Sequence, residues 1–255
     1  MPANCLRAMS LLELSRISKH FGAIEALSGI DLAIAPGEIV GLMGDNGAGK
    51  STLVKIMAGN FPPSEGEIRL EGQKTHFHGP GDAREAGIEV VYQDLALCDN
   101  LTAAANVFLA REAKRPFAGV LRLLDNLRMN QRARELFAEL KSETRPGDLV
   151  RRMSGGQRQA VAIARTRLAK ARIILMDEPT AAISVRQVAE VLDLLRRLRD
   201  QGIALLLISH RMPDVFAVAD RVIVLRRGRK VADKPVAESS PEEVTGLITG
   251  AIEAA

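Results

Sequence analysis

The stretch GDNGAGKST, residues 44–52, has the residue types and spacing needed to hold the phosphates of a nucleotide. Gly44, Gly47 and Gly49 allow tight turns and bring backbone N–H groups against phosphate oxygens, where a Cβ would collide. Lys50 supplies a charge for the β- and γ-phosphates, and the Ser51 hydroxyl suits Mg²⁺, which prefers oxygen ligands. The predicted phosphate loop therefore consists of Gly44, Asp45, Asn46, Gly47, Ala48, Gly49, Lys50, Ser51 and Thr52.

The segments around this loop support the interpretation. An apolar run at residues 38–43 predicts a strand before it, and residues 53–58 predict a helix after it, which Gly59 ends. The positive end of that helix also favours phosphate. The alternative is a glycine-rich turn that happens to contain a lysine, and the complete spacing in this context argues against it.

A second candidate group follows the apolar run at residues 173–176, which predicts a buried strand. Asp177 is placed to hold Mg²⁺, directly or through water, and Glu178 is placed to polarise an attacking water. Two carboxylates at the end of a buried strand are costly unless a cation or hydrogen-bond donors meet them. The alternative is an ordinary surface turn.

Two further polar residues follow predicted strands. Gln93 comes after the strand at residues 88–92, and His210 comes after the strand at residues 203–208. His76 and His78, on either side of Phe77, favour a solvated strand edge over a metal site, because no cysteine or carboxylate cluster accompanies them.

Apolar strands that alternate with helical patterns predict an α/β fold with a mostly parallel sheet covered on both faces. In such sheets the ligand groups gather at the carboxyl ends of the strands. Gly44, Gln93, Asp177 and His210 all lie at such ends, so we expect them to meet at one edge of the sheet.

Strand periodicity is replaced by helical patterns between residues 94 and 152. We therefore predict a disordered leader at 1–9, with Met9 as an alternative start to Met1, and an ATP-binding core at 10–93 and 153–234. The core is interrupted by an inserted helical subdomain at 94–152 and followed by a C-terminal helical tail at 235–255.

Three helices carry recognisable signals. Ser154 is placed to cap a helix in MSGGQRQAVAIARTRL, residues 153–168, and Ser240 with Glu243 predicts a capping box for the last helix. Between them, one amphipathic helix is predicted to bury the apolar residues Val185, Val188, Val191, Leu192, Leu195 and Leu198.

The composition limits the classes of function. The net charge of +4 is mild and aromatic residues make up 3% of the chain, so neither a nucleic-acid footprint nor a stacking platform is indicated. No apolar run approaches the roughly 20 residues of a membrane span, and the start lacks a signal peptide's hydrophobic region. The two cysteines, Cys5 and Cys98, favour free thiols in a reducing cytosol.

Taken together, these motifs resemble those of the ATP-binding cassette (ABC) ATPases, from about residue 12 to residue 232. GDNGAGKST resembles the Walker A loop, and ILMDE (174–178) resembles Walker B. Gln93 resembles the Q-loop glutamine, His210 the switch histidine, and MSGGQ (153–157) the family signature, which is the most specific of these motifs. The sequences GDNGAGKST, MSGGQRQAVAIAR and EPTAAI resemble the corresponding motifs in the ATPase subunits of bacterial carbohydrate importers.

This resemblance implies a fold and a set of roles. The fold is a P-loop ABC ATPase core with an antiparallel β subdomain and an inserted helical subdomain. Two cassettes pair head to tail, and each ATP lies between one Walker A loop and the partner's signature residues, which are here Ser154, Gly155, Gly156 and Gln157. Gln93 contacts Mg²⁺, and His210 holds the γ-phosphate. From the residues alone, Phe21 is interpreted as a core residue rather than a base-stacking aromatic. The resemblance reverses this interpretation and implies that Phe21 stacks on the adenine.

The implied cofactors are ATP and Mg²⁺, with Ser51, Gln93 and Asp177 as metal ligands and Glu178 and His210 as catalytic residues. The implied partners are a second cassette chain, membrane permease subunits and an extracytoplasmic sugar-binding protein, with no direct nucleic-acid contact. The expected location is the cytoplasmic face of a bacterial inner membrane.

Three departures from the family pattern stand out. Met153 replaces the usual leucine before SGGQ, and Ser184 stands where many cassettes carry the D-loop aspartate. Carbohydrate importers also often fuse two cassettes in one chain, whereas this chain has one and is expected to pair with itself or with a second polypeptide. Two other readings stay open, a soluble ABC-type ATPase acting on ribosomes or DNA and a non-hydrolysing regulatory cassette. Ribosome-associated relatives resemble two cassettes in one chain and DNA-maintenance relatives contain long coiled coils, and this sequence shows neither feature. A non-hydrolysing cassette conflicts with the presence of Lys50, Glu178 and His210.

Overall fold

The computed structural model describes residues 10–117, 121–181 and 183–252. The predicted leader at 1–9 and the choice between Met1 and Met9 lie outside these residues. The strands in chain order are β1 (Leu12–Phe21), β2 (Ile24–Ile34), β3 (Ile39–Met43), β4 (Glu65–Leu70), β5 (Gln73–Thr75), β6 (Ile88–Val91), β7 (Lys114–Phe117), β8 (Leu121–Leu124), β9 (Ile173–Asp177), β10 (Ala204–Ile208), β11 (Arg221–Arg226) and β12 (Arg229–Pro235). The helices are α1 (Lys50–Met57), α2 (Pro80–Glu85), α3 (Ala103–Val107), α4 (Asn126–Glu139), α5 (Gly155–Leu168), α6 (Val185–Asp200), α7 (Met212–Val218) and α8 (Pro241–Thr249).

The central sheet has six strands in the order β12-β11-β3-β10-β9-β6. The strands β11, β3, β10, β9 and β6 are parallel, and only the edge strand β12 is antiparallel to its neighbour. Alternate side chains of β10 enter two different cores, with Leu205 and Leu207 on one face and Leu206 and Ile208 on the other. Burial on both faces explains why these strands read as uninterrupted apolar runs.

A second sheet of four antiparallel strands, ordered β2-β1-β4-β5, lies over one of these cores. Ile30, Leu32 and Ile34 alternate along β2 and are all buried. Apolar residues of α1 occupy the same core, so the helix that follows the phosphate loop is packed between the two sheets. This combination confirms the predicted α/β fold with a mostly parallel core and an antiparallel subdomain.

The insert at 94–152 differs from the prediction. It contains α3 and α4, but β7 and β8 pair as antiparallel strands where strand periodicity was judged absent. Residues 114–116 and 122–124 are all exposed, so these short strands show no alternation of buried and exposed side chains. The predicted division into core, insert and tail stays a prediction.

Smaller corrections concern local contacts. Val185 is 84% exposed at the first turn of α6, whereas the other five residues predicted for its apolar face are buried. Ser240 caps α8, and Glu243, at the capping-box position, also pairs with Lys234 at 2.5 Å. The strand β5 ends at Thr75, so the edge-on rings of His76 and His78 lie beyond it.

Candidate nucleotide-binding and hydrolysis site

The phosphate loop connects β3 to α1 at the carboxyl edge of the central sheet. Gly44 and Gly49 have φ values of 151° and 102°, a region that side chains with a Cβ rarely adopt. A Cβ on Gly49 would lie 2.6 Å from Leu27 Cδ2 and 2.9 Å from the Ala26 carbonyl oxygen. The loop therefore needs glycine at these positions for both conformation and space.

The Lys50 ammonium is held inside this loop. Its Nζ donates hydrogen bonds to the carbonyl oxygens of Gly44 at 2.6 Å and Asp45 at 2.9 Å. Burial lowers the pKa of Lys50, while the carboxylates of Glu178, Asp45 and Asp177 act in the opposite direction. The loop thus carries a partly desolvated cation, with which a phosphate group would have a strong electrostatic attraction.

Asp177 ends β9, two strands away from the phosphate loop in the sheet order. Burial raises the pKa of Asp177, the neighbouring Glu178 raises it further, and Lys50 lowers it. A divalent cation at this position would relieve both unfavourable effects. The carboxylate therefore suits the role of a metal ligand that the sequence predicted.

Glu178 occupies an unusual backbone position. Its φ is 50°, in the left-handed region that non-glycine residues seldom adopt and that tends to occur at functional sites. Its backbone N–H donates to the Ile208 carbonyl oxygen at 2.9 Å, which fixes the turn after β9 against the end of β10. This places the Glu178 side chain beside His210.

Three donors surround the Glu178 carboxylate. The backbone N–H of His210 donates to Oε1 at 3.0 Å, His210 Nδ1 lies 2.7 Å from the same oxygen, and the Ser209 hydroxyl donates to Oε2 at 3.4 Å. The Glu178 side chain is 11% exposed whereas that of His210 is 73% exposed. Glu178 is thus oriented from the inner side, and His210 forms the solvent-facing side of the pair.

A buried contact that the sequence did not reveal supports this pair. Thr180 Oγ1 donates to Asp214 Oδ2 at 2.5 Å, and Arg211 Nε lies 3.2 Å from the same oxygen. Asp214 and Thr180 are almost fully buried. Thr180 follows Glu178 by two residues and Arg211 follows His210 by one, so Asp214 ties the two loops together. The sequence HRMPD shows no pattern that marks Asp214 as buried.

The signature residues begin α5 as expected. The Ser154 side chain accepts a hydrogen bond from the Gln157 backbone N–H, and the Gln157 side chain accepts one from the Ser154 N–H, which completes a capping box. A Cβ on Gly155 would lie 2.5 Å from Ile183 Cγ2, so this turn is closely packed. Ser184 caps α6 in the same way, through a capping box with Gln187. The serine that stands in place of the usual D-loop aspartate therefore has a structural role.

The phosphate loop and the signature line two different clefts. Asp45, Asn46, Gly47 and Ala48 line a cleft of about 640 Å³, while Ser154, Gly156 and Gln157 line another of about 610 Å³. Lys50 of the phosphate loop interacts with Asp177 and Glu178, and His210 contacts Glu178, so these residues meet at one edge of the sheet. The signature lies in a cleft of its own.

The remaining predicted residues are accessible. Phe21 is 47% exposed, so its interpretation as a core residue is wrong; it packs edge-on against Phe61 at a centroid distance of 5.4 Å. Gln93, just beyond β6, and Ser51, in the first turn of α1, are also exposed. Stacking by Phe21 and metal binding by Gln93 stay predictions.

The donor set suits Mg²⁺ rather than a tightly caged metal. No group of three or more His, Cys, Asp or Glu side chains able to hold a metal occurs in the described part of the chain. Mg²⁺ uses one or two protein carboxylates together with phosphate oxygens and water. Asp177 with the Ser51 hydroxyl provides such an incomplete oxygen set, which a bound nucleotide would complete.

A family model described as ABC transporter matches residues 27–181. The chain is 44% identical over 240 residues to the xylose/arabinose import ATP-binding protein of Sulfolobus acidocaldarius, covering 94% of each chain. It is 43% identical to the fructose import ATP-binding protein of Rhizobium meliloti, covering 92% of each. It is also 41% identical to a ribose import ATP-binding protein of Yersinia pestis, but covers 47% of that relative's length.

Solved structures of ATP-binding cassettes and ABC transporter components have a similar fold. A dimeric post-hydrolysis state of an ATP-binding cassette bound to ADP and Pi is 28% identical, with a TM-score of 0.72 over 88% of this chain and 98% of that one. A Clostridium perfringens protein described as part of an ABC transporter complex is 26% identical, with a TM-score of 0.79 over 93% of each chain.

Proposed function

The chain belongs to the ABC transporter family and is an ATPase, and on this premise we propose that it powers the import of a sugar across a cell membrane. Two relatives that it matches over more than nine-tenths of both lengths are named as sugar import ATP-binding proteins. The observation that carries the hydrolytic part is the Glu178 carboxylate, which three donors hold beside His210 at the edge that bears the phosphate loop.

Each residue of the site has a distinct task in this proposal. The loop amides and Lys50 bind the β- and γ-phosphates of ATP, and Phe21 stacks on the adenine. Glu178 accepts a proton from the attacking water, and His210 contacts the γ-phosphate. Asp177, Ser51 and Gln93 would hold Mg²⁺, which neutralises phosphate charge when bound.

The signature acts in trans in this proposal. Because the two phosphate-directed turns line different clefts, a head-to-tail dimer would bring Ser154, Gly155, Gly156 and Gln157 of one chain to the ATP held by the other. Two composite sites per two-fold dimer follow from that symmetry. The dimeric arrangement of a related cassette supports this geometry.

The proposed partners are membrane permease subunits and an extracytoplasmic sugar-binding protein. Gln93 and the exposed residues of the stretch at 94–106 form the face that receives a permease segment in this proposal. Within the described ranges, no helix is long and apolar enough to cross a bilayer. We therefore place the protein peripherally, on the cytoplasmic face of the membrane, attached through the permease.

Hydrolysis is tested with two variants and matched controls. Lys50→Ala should lose most ATP binding and all turnover, whereas Lys170→Ala, at an exposed position, should not. Glu178→Gln should slow hydrolysis about 10²–10⁴-fold and retain binding, with Glu242→Gln as the control. Full hydrolysis by Glu178→Gln would mean that another group activates the water.

Transport is tested in cells that lack the gene. Uptake of labelled pentoses and hexoses should fall for one sugar or a small group of sugars, and parent protein but not Glu178→Gln should restore it. Substitutions at residues 94–106 should uncouple ATPase activity from uptake. Unchanged uptake of every sugar, together with crosslinks from 94–106 to ribosomal protein or RNA, would favour the soluble ribosome-associated alternative.

A further inference from the structure

The Phe21 ring, at the tip of the hairpin that β1 and β2 form, is in contact with two other side chains. Phe61 packs against it edge to face, with the ring centroids 5.4 Å apart and the ring planes at 88°. The Lys19 Nζ lies over both rings, 5.3 Å from the Phe21 centroid and 4.9 Å from the Phe61 centroid. Two attractive contacts therefore act on a ring at an open hairpin tip, where the residues at 20–25 are all exposed.

Phe61 and Lys19 are themselves held in place. Phe61 is partly buried and packs against the core between the two sheets. Pro62 and Pro63 follow it, and two consecutive prolines restrict the backbone there. The Lys19 Nζ donates a hydrogen bond to the Pro62 carbonyl oxygen at 2.7 Å. Each contact on the Phe21 ring thus comes from a side chain that has its own anchor.

The Phe21 ring nevertheless remains accessible to a ligand. The residue is 47% exposed, so the contacts with Phe61 and Lys19 cover only part of it. An exposed aromatic side chain without such contacts exchanges between several rotamers. A ligand that stacks on it must select one rotamer, and this ordering costs binding free energy. A ring that is held in advance avoids much of that cost.

We propose that Phe61 and Lys19 are positioning residues, which hold the Phe21 ring in the orientation that receives the base of the nucleotide. This inference rests on the proposed stacking of Phe21 on adenine and extends it to two residues outside the sequence motifs. Neither residue belongs to the phosphate loop, so their contribution should be confined to the base. ATP should therefore lose affinity when either contact is removed, whereas a ligand that consists of phosphates alone should not.

Isothermal titration of the full chain with two probes tests the positioning role. MgATP contains the base, and magnesium tripolyphosphate contains only phosphate groups. Phe61→Ala and Lys19→Met should each weaken MgATP binding about two- to tenfold, the range expected for one side chain that must be ordered on binding, and leave tripolyphosphate binding unchanged. KM for ATP should rise by a similar factor while kcat stays parental, because the chemical step does not involve the base. Phe61→Tyr and Lys19→Arg keep the ring and the cation, so they should bind MgATP as the parent does.

Two matched controls separate this effect from a general loss of stability or charge. Leu70→Ala removes a partly buried apolar side chain that packs against the same core as Phe61, beside the opposite end of β1. Lys170→Met removes a cation at an exposed position elsewhere. Both controls should bind MgATP and tripolyphosphate with parental affinity.

The variant Phe21→Ala separates the positioning role from the stacking on which it rests. It should weaken MgATP binding, and Phe61→Ala should add no further loss in the double variant, because both changes remove the same contact. Parental MgATP affinity of Phe61→Ala and Lys19→Met, with weakened binding by Phe21→Ala, would overturn the positioning role and leave the stacking intact. Parental affinity of Phe21→Ala would refute the stacking and the positioning role together. A further loss in the double variant, or an equal loss with tripolyphosphate, would mean that Phe61 acts on another part of the site and would also overturn the proposal.

Discussion

Replacement of Thr180 by valine tests whether the buried contact with Asp214 organises the hydrolytic residues. Valine has nearly the same shape as threonine but lacks the hydroxyl, so the change removes one donor without a cavity. Thr180 is 1% exposed and Asp214 is 4% exposed, so water does not readily replace the lost donor. Arg211 then remains as a partner of the same carboxylate oxygen at 3.2 Å.

The expected cost follows from the charge on the acceptor. A hydrogen bond to a buried charged group contributes about 1.5–3 kcal/mol. For a chain of this size each kcal/mol corresponds to about 2–4 °C in Tm, so the variant should melt about 3–12 °C lower. Thr245→Val is the matched control, because its hydroxyl donates to the Pro241 carbonyl oxygen on the surface and its loss should shift Tm by less than about 2 °C.

A catalytic measurement separates positioning from stability. Thr180 and Arg211 flank Glu178 and His210 in sequence, while the phosphate loop lies on another element. Below the melting range, Thr180→Val should therefore lower kcat and leave KM for ATP close to the parental value. A Tm within about 1 °C of the parent, or a raised KM with unchanged kcat, would refute this reasoning.

Three further predictions address the rest of the site. Asp177→Asn should abolish hydrolysis and, at neutral pH, raise the Tm of the nucleotide-free protein, because the ionised Asp177 is destabilised by burial. Since the pKa of Asp177 is raised on folding, this gain in Tm should shrink as the pH falls toward 3.8, which thermal melts over a pH series will measure. Gly49→Ala should lose ATP binding in a nucleotide-binding assay because of its φ of 102° and its crowded Cβ position, whereas Gly147→Ala, with open space around its Cβ, should not. Lys50→Ala and Ser154→Arg should each be inactive alone, and their mixture should recover at most about a quarter of parental activity, since half of the dimers are mixed with one intact site; no recovery of hydrolysis or of ATP-dependent dimers would argue against the trans role.

Much of the fold was predictable because its signals are local and agree with each other. Uninterrupted apolar runs predicted the parallel strands, since each strand is buried on both faces. Ser154 predicted a helix start because a serine before a helical pattern is a local capping signal. The positions of Gly44, Asp177 and His210 at one sheet edge followed from strand direction alone.

The missed features depend on contacts between distant segments. The paired strands β7 and β8 were missed because the alternation that signals a β-strand comes from one buried face, whereas residues 114–116 and 122–124 are all exposed. Phe21 is exposed because it ends β1 at the tip of the β1–β2 hairpin, where residues 20–25 are all exposed. The burial of Asp214 depends on a hydroxyl 34 residues earlier in the chain.

Three features of the hydrolytic edge cost the protein folding free energy. Glu178 has a strained φ of 50°, burial lowers the pKa of Lys50, and burial together with Glu178 raises the pKa of Asp177. Such costs persist at functional sites when surrounding contacts determine the geometry. The buried contact between Thr180 and Asp214 and the three donors to Glu178 are contacts of this kind. Since phosphate and a divalent cation would relieve the two electrostatic costs but not the backbone strain, bound nucleotide should stabilise the edge while Glu178 keeps the orientation that hydrolysis requires.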